Sequence, residues 1–118
     1  MMSREQAERF AGEWVEAWNS RDLDAVLAHY ADDIIFHSPR IALVTGESRH
    51  SVEGKEALRR YWSQAIEKAP DLRFSIEEVL LGSDALTILF QNHRQQRVAE
   101  TFIFDQSGSV TRSVATYT

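Results

Sequence analysis

The chain has 118 residues, 43% apolar and 26% charged, with a formal net charge of −5 and no cysteine. That length suits one domain over residues 1–118, and the acidic balance speaks against nucleic acid and anionic membranes as partners. Without cysteine there are no disulfides, thiolate metal sites or thiol nucleophiles, which fits a reducing compartment.

The first ten residues, MMSREQAERF, carry charges where a secretion signal needs an apolar core, and no apolar run approaches a membrane span. A cytoplasmic protein is therefore expected. Ser3 and Gln6 read as a capping box opening a helix that runs to about Asn19. Ala7, Phe10, Ala11, Trp14, Val15 and Trp18 hold the three- and four-residue spacing of one buried face. Asp22 caps a second, short helix carrying Leu23, Val26, Leu27 and Tyr30, and a strand IIFHS follows, ended by Pro39. Residues 39–53 read as an extended segment and then a mobile loop, with Gly54 opening a third helix over KEALRRYWSQAIEKA. In that helix Ala57, Leu58, Tyr61, Trp62, Ala65 and Ile66 face inward, and Pro70 stops it.

The remainder reads as a four-strand meander: LRFSIEEVLL, ALTILFQNHR, RVAETFIFD and SVTRSVATYT. Helices followed by an antiparallel sheet is α+β order. Alternation turns Leu72, Phe74 and Ile76 inward, then Leu86, Ile88 and Phe90, with Asn92 at the rim of that face. In the third strand Val98, Glu100, Phe102 and Phe104 share the aromatic side, so Glu100 is a carboxyl in apolar company, costly unless partnered or protonated. In the last strand periodicity does not choose between the Val110 face and the Ser113 face.

The stretch EWVEAWNSRDLDAVLAHYADDIIFHSP, then VEGKEALRRYW and the meander, resembles the nuclear transport factor 2-like superfamily, and more narrowly its SnoaL-like and ketosteroid isomerase-like branch. The resemblance spans nearly the whole chain. It implies a cone-shaped, cystatin-like α+β fold, with three N-terminal helices packed in a curved antiparallel or mixed sheet. It also implies homodimers that pair through the outer sheet face, here Val79, Leu89, Ile103 and Val114. In the last strand, Ser113, Ala115 and Tyr117 would line the cone.

By the same resemblance Ser38 stands where steroid isomerases keep a proton-shuttling aspartate, Trp14 where they keep a hydrogen-bonding tyrosine, and Glu100 where they keep a second acid. A serine hydroxyl cannot accept a substrate proton at neutral pH as a carboxylate can, and indole only donates. The chain is thus not a steroid isomerase of that kind. The fold hosts many reactions, so function is argued from the residues themselves.

Glu100 is the candidate general acid or base, its pKa raised toward neutrality by apolar neighbours, and Tyr117 is a second catalytic candidate. Trp14, Trp18, Tyr30, Phe36, Ser38, Tyr61, Trp62, Phe90, Asn92, Phe102 and Ser113 are the candidate ligand-binding residues, the aromatic ones serving as core and pocket wall together. The ligand expected is a small hydrophobic or aromatic molecule, processed by isomerisation, cyclisation or dehydration; the alternative is a non-catalytic binder or a dimeric accessory protein. Ser38 also reads as a simple strand end, and His37 and His29 as outward residues. No HExxH spacing, nucleophile elbow or phosphate loop occurs, so neither metal nor cofactor is expected.

Overall fold

The computed structural model describes residues 2–118. The order along the chain is α1 (Arg4–Asn19), α2 (Leu23–Leu27), β1 (Tyr30–His37), α3 (Arg40–Thr45), β2 (Ser51–Glu53), α4 (Lys55–Glu67), β3 (Ser75–Leu81), β4 (Ala85–Gln91), β5 (Arg97–Phe104) and β6 (Val110–Tyr117). The six strands form one sheet in the order β2-β1-β6-β5-β4-β3. All neighbours pair antiparallel except β1 and β6, which run parallel, with Phe36 opposite Ser113 and His37 opposite Val114. This is the expected α+β arrangement, with a mixed sheet. Among the described residues no helix is long and apolar enough to cross a membrane.

Helix α1 begins as its sequence dictates. Ser3 Oγ accepts from the Gln6 amide at 3.1 Å, and Gln6 Oε1 accepts from the Ser3 amide at 2.8 Å. Its apolar stripe, from Ala7 through Trp18, is buried against the inner face of the sheet. The far end is tied down by Asn19, whose side chain donates to the Phe74 carbonyl at 3.0 Å and accepts from the Phe74 amide at 2.8 Å. That clamp fixes the segment entering β3 against the end of α1.

Several boundaries differ from the sequence reading. A short helix, α3, joins the three expected ones where an extended segment and mobile loop were anticipated, and the strand β2 follows it. The proline that ends β1 also starts α3. Its φ of −67° is already helical, the Ser38 hydroxyl accepts from the Arg40 amide at 3.1 Å, and Gly46, at φ 76°, closes the helix by donating to the Ala42 carbonyl. Six residues do not sustain a helix alone; burial of Ile41 and Val44 holds this one in place.

Tyr30 opens β1 and is not part of α2, and β3 begins at Ser75, so Leu72 and Phe74 lie in the segment leading into it. A bulge between Ile76 and Glu78 shifts the alternation of β3 by one residue. Val79 therefore pairs with buried Ile88 and packs on the inner side, not on the outer face expected of it. His29 is half-buried, its ring meeting Phe10 edge-on at 4.9 Å, where an outward residue was expected. The last strand takes the orientation implied by the resemblance, with Ser113 and Ala115 buried on the inner face.

Candidate functional site

Between the sheet's inner face and α1, α3 and α4 lies a cavity of about 230 Å³. Its wall is mainly aromatic. Trp14 and Trp18 come from α1, Phe36 from β1, Tyr61 and Trp62 from α4, Phe90 from β4, and Phe74 from the segment clamped by Asn19. These rings hold one another in edge-to-face and stacked contacts. Trp18 meets Trp62 at 4.9 Å, Trp14 meets Phe90 at 5.3 Å, and Phe74 meets Phe90 at 4.6 Å between centroids.

Glu100 opens into this wall from the middle of β5 and is only 6% exposed. The strand alternation that turns Val98 and Phe102 inward leaves it no other direction. Its Oε2 accepts a hydrogen bond from Ser113 Oγ at 2.8 Å across the β5–β6 pair, and Ser113 is fully buried. Burial penalises the ionised form, while the Ser113 bond favours it; burial wins, and the carboxyl is pushed up to about 7. Glu100 thus exchanges its proton near neutral pH, and it does so against an aromatic wall.

Tyr117 lines the same cavity. Burial, and then the nearby Glu100 charge, hold its phenol above the usual range, so it is a neutral donor at working pH. Tyr61 behaves alike, burial being the main cause, and Ser38 stands beside both phenols and offsets part of the shift.

Of the residues singled out from sequence, Trp14, Trp18, Phe36, Tyr61, Trp62, Phe90, Asn92, Glu100 and Tyr117 line the cavity together. Four stand behind the wall. Tyr30 accepts from the Trp14 indole N–H at 3.2 Å, so the one donor of Trp14 is turned away from a ligand. Phe102 braces Trp14 edge-on at 5.4 Å, Ser113 holds Glu100, and Ser38 caps α3 through its hydroxyl. Asn92 reaches the cavity, but its side chain is engaged by the β4–β5 turn: Oδ1 accepts from the Arg94 and Gln96 amides, and Nδ2 donates to Gln96 Oε1.

The cavity also takes residues outside the sequence-derived candidates: Arg40 and Leu43 from α3, Lys68 from the C-terminal cap of α4, and His93 and Arg94 from the β4–β5 turn. Both ring nitrogens of His93 are buried and neither is hydrogen-bonded, with Asp71 Oδ1 at 4.0 Å from Nε2. Desolvation lowers its pKa, with Asp71 opposing, so the ring is mainly neutral near pH 7. No local motif marks these side chains, because elements distant in sequence bring them together. Among the described residues no group of three His, Asp or Glu side chains is placed to hold a metal ion.

The chain superposes on a SnoaL-like protein of unknown function from Burkholderia thailandensis with a TM-score of 0.92 and 35% identity, over 98% of this chain and 97% of that one. A protein of unknown function with a cystatin-like fold from Methylobium petroleophilum gives a TM-score of 0.77 at 18% identity, over 98% of this chain and 78% of that one. A proposed polyketide cyclase from Sinorhizobium meliloti gives 0.74 at 16%, over 92% and 94%. These last two likenesses speak to the fold alone. No curated protein matches the sequence. The SnoaL-like domain profile matches residues 11–117, nearly the whole length, and the chain belongs to the SnoaL-like family.

Proposed function

We propose that this protein binds a small hydrophobic or aromatic molecule in its cone and that Glu100 transfers a proton to or from it. The observation carrying this reading is a carboxyl group with a pKa of about 7, buried on an aromatic cavity wall and held by Ser113. With Oε2 engaged by the Ser113 hydroxyl, the other oxygen is the one available to a ligand. Protonated, it donates to a carbonyl or leaving oxygen; ionised, it takes a proton from an activated carbon. A group with its pKa near the working pH serves in both directions. The low polarity of the aromatic wall strengthens each polar contact made against it.

The cavity volume of about 230 Å³ lies below the range of roughly 300–1,000 Å³ common for ligand pockets. It suits a molecule of one or two rings. Tyr117, a neutral phenol on the same wall, is placed as the second donor that orients a carbonyl. A cyclase assignment on the same fold is in keeping with such chemistry. Leu80 and Ile103, exposed and apolar on the outer sheet face, support pairing of two copies there, with the cones facing away from each other.

The test is proton exchange. A panel of one- and two-ring aryl ketones is incubated with the protein in deuterated water, and loss of the α-proton signal is followed by NMR. Exchange that disappears in Glu100→Gln supports the reading. Ligands that bind at the cavity but exchange no faster than in buffer refute the catalytic half and leave a binding protein.

A further inference from the structure

The charges around the cavity are unevenly distributed for so acidic a chain. Glu100 is the one carboxylate among the lining residues, whereas Arg40, Lys68 and Arg94 are all basic. Arg94 and Lys68 are exposed and Arg40 is half-buried, so these three mark the mouth. Lys68 Nζ is engaged by the Val44 carbonyl and joins α4 to α3. The guanidiniums of Arg40 and Arg94 make no hydrogen bond or ion pair with any described residue; the backbone amides of these two residues donate to Ser38 Oγ and Asn92 Oδ1.

The two arginines belong to different elements, yet their charges converge. Both act on the Tyr117 phenol and both act on the His93 ring, and Arg40 also reaches Tyr61. An acid at this end, Asp71, faces His93. A lone surface arginine is well solvated and contributes little. Two unpaired guanidiniums at one end of an apolar cavity form a site for an anion, since their fixed forks match a carboxylate and the aromatic wall lowers the local dielectric.

We propose that the ligand of this cavity is an aromatic acid, its anionic group held at the mouth by Arg40 and Arg94 and its rings directed inward to Glu100. This rests on the reading of the cavity as a ligand site and adds the ligand's charge and direction of entry. An anion at the mouth also disfavours ionisation of Glu100, so binding leaves that group as the proton donor.

The test compares naphthoate with naphthamide, equal in shape and unequal in charge, by titration calorimetry at about pH 6, where Glu100 is largely protonated. Naphthoate is expected to bind about tenfold tighter than naphthamide, and the ratio to fall toward one in Arg40→Gln/Arg94→Gln. The single variant Arg94→Gln, changed at an exposed turn position, is expected to give an intermediate ratio and stands in if the double variant does not fold. Equal affinities, or a ratio that persists in both variants, overturn the inference and leave the ligand site intact. A variant that weakens both compounds in proportion shows the arginines to be structural and overturns it too. Failure of both compounds to bind the native protein overturns the ligand-site reading and this inference with it.

Discussion

Replacing Glu100 by Gln should make the protein more stable in alkali than the native chain, and the size of the effect follows from the site. Unfolded, the carboxyl titrates at 4.5; folded, at about 7. Between those values the folded state keeps a proton that the unfolded state has lost, so stability falls as pH rises through that window. Each pH unit is worth about 1.4 kcal/mol, which brings the full penalty to about 3 kcal/mol above pH 7. Gln is neutral at every pH, matches Glu in size, and its amide oxygen can accept the Ser113 hydroxyl proton. The variant and the native chain should therefore be similar at about pH 5 and diverge by about 3 kcal/mol at about pH 8, an increase in Tm of roughly 10 °C. Urea denaturation followed by the fluorescence of Trp14, Trp18 and Trp62 across that pH range reads the difference directly. Subtracting the two curves cancels every other titrating group. A difference that is flat with pH, or a variant less stable at pH 8, would mean a solvated carboxylate of ordinary pKa, and the acid–base role would lose its basis.

Further expectations concern the supports of the site. Ser113→Ala removes the bond that favours the ionised form, so the Glu100 midpoint should move above 7, seen as a carboxyl carbon shift in NMR; a midpoint that drops would contradict the geometry. Asn19→Ala breaks both halves of the clamp on Phe74 and should cost about 2 kcal/mol, with hydrogen-exchange protection lost first in the segment entering β3. Gly54 sits at φ 93° and ψ 144° and donates to the Ile34 carbonyl at the start of α4. Gly54→Ala should cost about 1–3 kcal/mol through backbone strain alone, since the added carbon meets nothing closer than the Asp32 carbonyl at 4.0 Å. A thermal melt unchanged by that substitution would refute the strain argument.

What could be read from sequence was whatever has a local cause. The Ser3–Gln6 box, the α1 stripe and the inward turn of Glu100 each follow from spacing within a few residues, and each is present. Helix α3 was hidden because four apolar residues in a row, Ile41 to Val44, fit a strand and a buried helix turn equally well. The bulge that turns Val79 inward has no marker such as a glycine; the shift appears only once β3 is laid against β4. Ser38 before Pro39 marks the strand end locally, but its bond to the Arg40 amide exists only because α3 follows. The basic mouth was least legible. Arg40 and Arg94 are far apart in the chain, and each looks like an ordinary solvated charge until the fold brings their fields together at Tyr117.

The parallel pairing of β1 with β6 has a consequence for how the chain comes into being. Strands β3, β4 and β5 can zip as hairpins while they emerge, each beside its predecessor. β1 has only the short β2 beside it: the place of that pair in the sheet exists only once residues 110–117 have been inserted between β1 and β5. Until then a nascent chain shows Phe36 and an unpaired edge, the kind of surface that other chains capture. Insertion of β6 also delivers Ser113 to Glu100, so the proton-exchanging group acquires its partner in the same step that seals the cone. Closure over so long a loop makes this docking the expected slow phase of folding, and a half-made molecule is therefore also an untuned one.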